Sequence, residues 1–259
     1  MSAERAAASP VERLFAEGAL VAALVVWWLT ARGLPNFVLP GPVEVLATLA
    51  RFVTDPALAA HAGISALRVL AAVALAMTSA VALAAAMSRA PLLAAVVETR
   101  ILVFLNSFPS VGWAILGVIW FQVSNATVIF IETAIILPFC LINAIIAFRQ
   151  IDPELDEMGR SLSRSPWRRF SRVTLPLMAP FLVAGLRVAY GICWKIALVA
   201  ELFGAQSGLG FLLVRAQSSA DAAMIFATCL VIVAAVMVVD RLLLAPLARA
   251  YSTNKGAAS

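Results

Sequence analysis

The chain has 259 residues, of which 63% are hydrophobic and only 13% charged, with a formal net charge of +5. Soluble domains run near half apolar and about a quarter charged, so this composition excludes a disordered chain, a collagen-like chain and a disulfide scaffold. It leaves the bilayer as the natural solvent, and the mean hydropathy of +0.99 agrees.

A helix needs about 20 apolar residues to cross the hydrocarbon core, which leaves room for about six crossings in a chain of this length. Residues 1–13 are polar and Ala/Ser-rich, and read as a cytoplasmic tail. The first span is expected at 14–30. Arg5 and Arg13 precede its apolar core, but Glu12 and Glu17 sit beside it and no Ala-x-Ala site follows, so it reads as an uncleaved span. Pro35, Pro40 and Pro42 then break the chain. Pro42 opens an amphipathic stretch with Val45, Leu46, Leu49 and Phe52 on one side, expected to lie in the membrane interface. Further spans are expected at 66–88, 99–121, 126–148, 175–203 and 222–244, with a second tail at 249–259. The third is interrupted by Asn106, Ser107 and Pro109, and the fourth carries Glu132, Pro138 and Asn143. The fold class is an all-α integral membrane protein with six transmembrane helices.

The basic residues report topology. With six spans, the side holding both termini carries 12 of the 19 Lys and Arg, and the other side carries Arg32, Arg51, Arg68 and Arg215. Lys and Arg collect on the cytoplasmic side, so both termini are expected there and the net charge needs no nucleic-acid partner. Cys140, Cys193 and Cys229 all lie in apolar runs without metal-ligand spacing and read as packing residues.

The charged loop 149–174 is the most informative segment. Asp152-Pro153 makes an N-cap and N1 pair, and Ile151, Leu155, Met158 and Leu162 step by 4, 3 and 4 along one helix face. Ser165-Pro166 repeats the helix-start signal. Two short cytoplasmic helices are expected, and an apolar stripe on such a surface calls for a partner to cover it.

This segment resembles the EAA loop of the inner-membrane permease subunits of binding-protein-dependent ABC importers. Glu157, Met158 and Gly159 take the Glu-Ala-Ala places, and Val173, Leu175 and Pro176 take the ending. Ser163 stands where the family has Gly, and serine adopts positive φ less readily. Gly185-Leu186-Arg187, Trp194, Ala200-Glu201, Ser207-Gly208-Leu209-Gly210, Phe108 to Trp113 and Ile119-Trp120-Phe121 resemble the nitrate/sulfonate/taurine branch. The resemblance implies the ABC importer permease fold and a role for 149–174 as the coupling loop. Leu155, Asp156, Glu157, Met158, Gly159, Leu162, Ser163 and Trp167 would then engage the ATPase. It further implies a dimer of ATPase subunits that bind ATP and Mg, a second permease copy, a periplasmic solute-binding protein, and a place in the bacterial inner membrane. The implied cargo is a small anion such as a sulfonate, taurine, nitrate or a related organic acid.

The chain's own residues point away from chemistry. No Gly-x-x-x-x-Gly-Lys-Ser/Thr occurs, so there is no Walker A loop, and no cofactor or metal is expected in this chain. Gly208-Leu209-Gly210 reads as a turn. The only histidine, His61, lies near Gly63-Ile64-Ser65, which lacks the nucleophile-elbow form. An ATP-independent transporter or channel is the alternative reading.

Charges inside spans face protein or a water-filled path. Glu132, Arg187, Lys195 and Glu201 are the four. Arg187 and Lys195 lie near one helix face with about 12 Å of rise between them, beside Tyr190, Gly191 and Trp194. Arg187, Tyr190, Trp194, Lys195 and Glu201 are the candidate solute path. The competing reading pairs the cations with Glu132 or Glu201, and Glu201 near the outer end could instead meet the binding protein.

Overall fold

The computed structural model describes residues 10–151 and 165–252, and every element among them is helical. The chain forms two compact units, one of residues 1–59 and 212–231, the other of residues 60–211 and 232–259.

In the first unit, α1 (Pro10–Arg32) covers the segment expected as the first span. Trp27 Nε1 donates to the Pro40 carbonyl at 3.1 Å and its ring stacks on Phe226 at 6.0 Å, which fixes the Pro-rich connection. α2 (Pro42–Thr54) is amphipathic as expected, but its buried stripe is Val45, Thr48 and Phe52. Leu46 is exposed. It lies 100° around the helix from Val45, whereas positions three to four residues apart share a face.

In the second unit the helices that carry function pack together. α3 (Pro56–Met87) starts ten residues earlier than the expected second span. Asp55 accounts for this, since its Oδ1 accepts from Ala57 N at 2.9 Å ahead of Pro56. The segment expected as the third span, 99–121, is bent. The chain there forms α4 (Pro91–Ser107) and α5 (Ser110–Phe121), bent by 87°. Pro109 lacks an N–H and disfavours helix at the preceding residue, and Phe108 accordingly adopts ψ 127°. The Phe108 ring folds back to 4.7 Å from that of Trp113, over Gly112, where a methyl would lie 2.7 Å from the Phe108 ring edge.

Ser124 caps α6 (Asn125–Arg149) through Thr127 N at 3.3 Å. α7 (Leu175–Gly204) packs along it. The approach is close at Gly185, where a methyl would meet Asn143 Cβ at 2.7 Å, and at Gly204, where one would meet Thr127 at 2.8 Å. Ala114, Val128, Ile131 and Ala200 form the core between α5, α6 and α7. The second helix expected in 149–174 begins at Pro166, with Arg168 N 3.5 Å from Ser165 Oγ. It is not separate. It runs through a π turn, Phe170–Thr174, directly into α7, and the wider π turn absorbs the N–H missing at Pro176.

α8 (Leu209–Ser218) and α9 (Ala222–Val239) follow, and α9 continues through a π turn, Asp240–Leu244, into Ala245–Ser252. The second tail, expected from 249, therefore begins as helix. Among the described residues four helices are long and apolar enough to cross a bilayer, or five if the bent α4–α5 pair counts as one span. Six separate spans are not shown.

Candidate functional site

All five candidate path residues lie on α7, yet α7 does not bring them to one surface. Tyr190 and Trp194 are buried. Their rings meet edge to face at 6.3 Å, and Tyr190 Oη donates to the Ala235 carbonyl at 3.3 Å. Trp194 Nε1 has no partner among the described residues. Arg187 points outward and is held by a bidentate pair with Asp240, Nε to Oδ1 at 2.5 Å and Nη2 to Oδ2 at 2.7 Å. The alternative reading paired Arg187 with Glu132 or Glu201; within the chain its partner is instead Asp240, the acid that opens the π turn after α9. A second π turn, Val97–Ile101 within α4, places Glu98 against Arg149 at 2.7 and 2.8 Å. Both turns aim an acid sideways at a neighbouring helix.

Lys195 is different. It is exposed and makes no ion pair or hydrogen bond among the described residues. Val188, Val199 and Leu202 are exposed on the same helix. Lys195 lies about 14 Å from the C-terminal end of α7 by helical rise. A lysine at the centre of a span costs roughly 2.5–3.5 kcal/mol against lipid, so this surface calls for protein or water against it.

Glu201, in the last turn of α7, is 1% exposed and sits in a polar cluster. Arg68 Nη1 on α3 donates to its Oε1 at 2.8 Å, Ser65 Oγ donates to the same oxygen at 2.7 Å, and Gly210 N donates to Oε2 at 2.8 Å. Arg68 also donates to Asn125 Oδ1 at 2.9 and 2.6 Å and to the Ser207 carbonyl at 2.7 Å. His61 Nδ1 accepts from Gly208 N at 2.9 Å. Gly208 adopts φ +110°, and a methyl there would lie 2.3 Å from Glu201 Oε1. This explains Ser207-Gly208-Leu209-Gly210: the chain wraps the carboxylate too tightly for side chains. Gly208 makes the expected turn, while Leu209 and Gly210 open α8. Glu201 is thus enclosed by protein donors on both carboxylate oxygens. Arg68, counted among the outer-loop cations, is 4% exposed within α3 and no longer reports topology.

Glu132 is fully buried. Its Oε2 lies 3.8 Å from Cys193 Sγ, and its Oε1 has no partner among the described residues. Cys140 is buried too, whereas Cys229 is exposed.

Leu155, Asp156, Glu157, Met158, Gly159, Leu162 and Ser163 lie outside the described residues. Trp167 is described: it is 73% exposed, with its ring 6.1 Å from that of Phe170.

Sequence reasoning missed Arg68, Ser65, Asn125 and Asp240. The available signal was Asp55-Pro56, a helix start that places Arg68 inside α3.

Residues 79–249 match the family described as binding-protein-dependent transport system inner membrane component. The chain belongs to this family. It is a membrane permease component, and its role is transport. A probable ABC transporter permease protein of Brucella melitensis is 29% identical over 222 residues, 84% of this chain and 87% of that one. The taurine transport system permease protein of Escherichia coli K12 is 27% identical over 203 residues, covering 75% and 73%. The putative aliphatic sulfonates transport permease protein of the same strain is 34% identical over 113 residues, covering 44% and 43%. The family match covers α6, α7 and the charged segment between them.

Proposed function

We propose that this permease carries a small anion, of the sulfonate, taurine, nitrate or organic-acid class, across the inner membrane in an ATP-driven importer. The observation that carries the anion is Lys195, a cation on the exposed face of α7 with no carboxylate against it among the described residues. A positive group held beside a water-filled path attracts anions and not cations. The relatives named for taurine and aliphatic sulfonates support the same class.

Two permease copies form the path, and the surface bearing Lys195 faces the second copy. Both termini lie in the cytoplasm. Two ATPase subunits dock from the cytoplasm on Leu155, Asp156, Glu157, Met158, Gly159, Leu162, Ser163 and Trp167. ATP and Mg are bound by those subunits, since this chain has no Walker A loop. A periplasmic binding protein delivers the solute. The exposure of Trp167 supports the docking role, because a large exposed aromatic is a natural anchor for a partner.

Reconstitution tests this reading. Proteoliposomes holding the permease, its ATPase partner and its binding protein should accumulate labelled taurine or an alkanesulfonate only with ATP. Accumulation that is indifferent to ATP would favour the ATP-independent alternative.

A further inference from the structure

A cleft of about 740 Å³ opens between α3 and the segment that leads into α7. Its volume falls within the range of about 300–1,000 Å³ typical of ligand sites. One wall is Met77, Val81 and Ala85, which step by four along α3, with Arg89 just beyond its end, and the facing wall includes Trp167 and Phe170. The walls are apolar along their length. Among the described lining residues the one hydroxyl, that of Thr78, is turned to its own helix, donating to Ala74 O at 2.8 Å. Among the same residues the one cation is Arg89, at one end. Arg89 lies just past the end of α3, is exposed, and reaches no acceptor closer than its own helix carbonyl, Ala85 O at 3.5 Å. No carboxylate pairs with it among the described residues.

We propose that this cleft binds an anionic phospholipid, with an acyl chain along α3 and the headgroup phosphate on Arg89. This rests on the chain being a membrane permease and is independent of which solute it carries. From Met77 to Arg89 the cleft follows α3 for about 18 Å, deep into the hydrocarbon layer, so an aqueous solute or a surface segment does not fill it. Arg89 sits where a span ends and phosphates begin, and exposed Trp167 belongs at the same level, as interfacial aromatics do. Arg168 and Arg172, both exposed, follow Trp167 and Phe170 in the chain. An isologous contact with a second copy would set this basic end against itself, whereas basic sites between membrane helices suit lipid phosphates.

The test is native mass spectrometry of the purified full-length permease, incubated with phosphatidylglycerol or phosphatidylcholine. Retention should favour phosphatidylglycerol by about fivefold, in line with one basic group at an anionic surface. Arg89→Gln should abolish the preference and Arg89→Lys should keep most of it. Ala85→Trp, which fills the cleft, should lower retention of both lipids, with its melting temperature checked to exclude misfolding. Equal retention of both lipids by the unaltered protein would overturn the proposal. So would disulfide cross-linking of Ala82→Cys between two copies, which would make the second copy the occupant. Cross-linking of Ala82→Cys to Leu155→Cys within one chain would overturn it as well, assigning the cleft to the 152–164 segment.

Discussion

Arg68 and Glu201 form an ion pair at 2.8 Å, with side chains 5% and 1% exposed, across 133 residues of sequence. Removing one partner of a buried pair strands the other charge and costs about 3–5 kcal/mol. Arg68→Ala and Glu201→Ala should each lower the melting temperature sharply, and the double variant should lose less than the sum of the two. Additive losses would mean that the pair is not coupled.

Gly208 combines φ +110° with a carboxylate where a side chain would go. Gly208→Ala should destabilise by at least roughly 1–3 kcal/mol through backbone strain alone. Gly191, in the middle of α7, has nothing within 4 Å of an added methyl. Gly191→Ala should be neutral or stabilising by about 0.5–1 kcal/mol, as alanine generally is in helices. Thermal unfolding of the two variants side by side checks both expectations.

Arg187 is held by Asp240 in a bidentate pair. Asp240→Arg combined with Arg187→Asp should therefore recover transport that either single reversal impairs. Failure of the double reversal to recover uptake would return Arg187 to the candidate path.

The spans were legible where apolar runs are long: α6, α7 and α9 lie close to the segments expected from hydropathy. The bend at Phe108-Pro109 was visible only as an interruption, because hydropathy records whether residues are apolar and not the direction of the chain. Composition also registers single charges, not their partners. Arg187 and Asp240 are 53 residues apart, and Arg68 and Glu201 are 133 apart, with no periodicity joining either pair. Glu201 therefore read as a path residue or as a partner for Arg187 or Lys195, and Arg68 was not considered for it, although the glycines that wrap Glu201 lie in the same stretch of sequence. Lys195 was legible as an intramembrane cation, and among the described residues it is exposed and without an ion pair.

The proposed docking role of residues 149–174 is testable from the sequence. Glu157→Lys or Met158→Asp should weaken the proposed docking, so that the ATPase subunit no longer co-purifies and uptake stops while the permease still reaches the membrane. Normal ATPase recovery with both changes would remove these residues from the interface.

The most direct measurement is ATP-driven uptake of labelled taurine or an alkanesulfonate by Lys195→Ala in the reconstituted system. A charge-assisted contact is worth roughly 1.5–3 kcal/mol, so uptake should fall about tenfold or more while ATPase binding and melting temperature stay unchanged. Lys195→Arg should keep most of the activity. Unchanged uptake by Lys195→Ala would contradict an anion path along this face of α7.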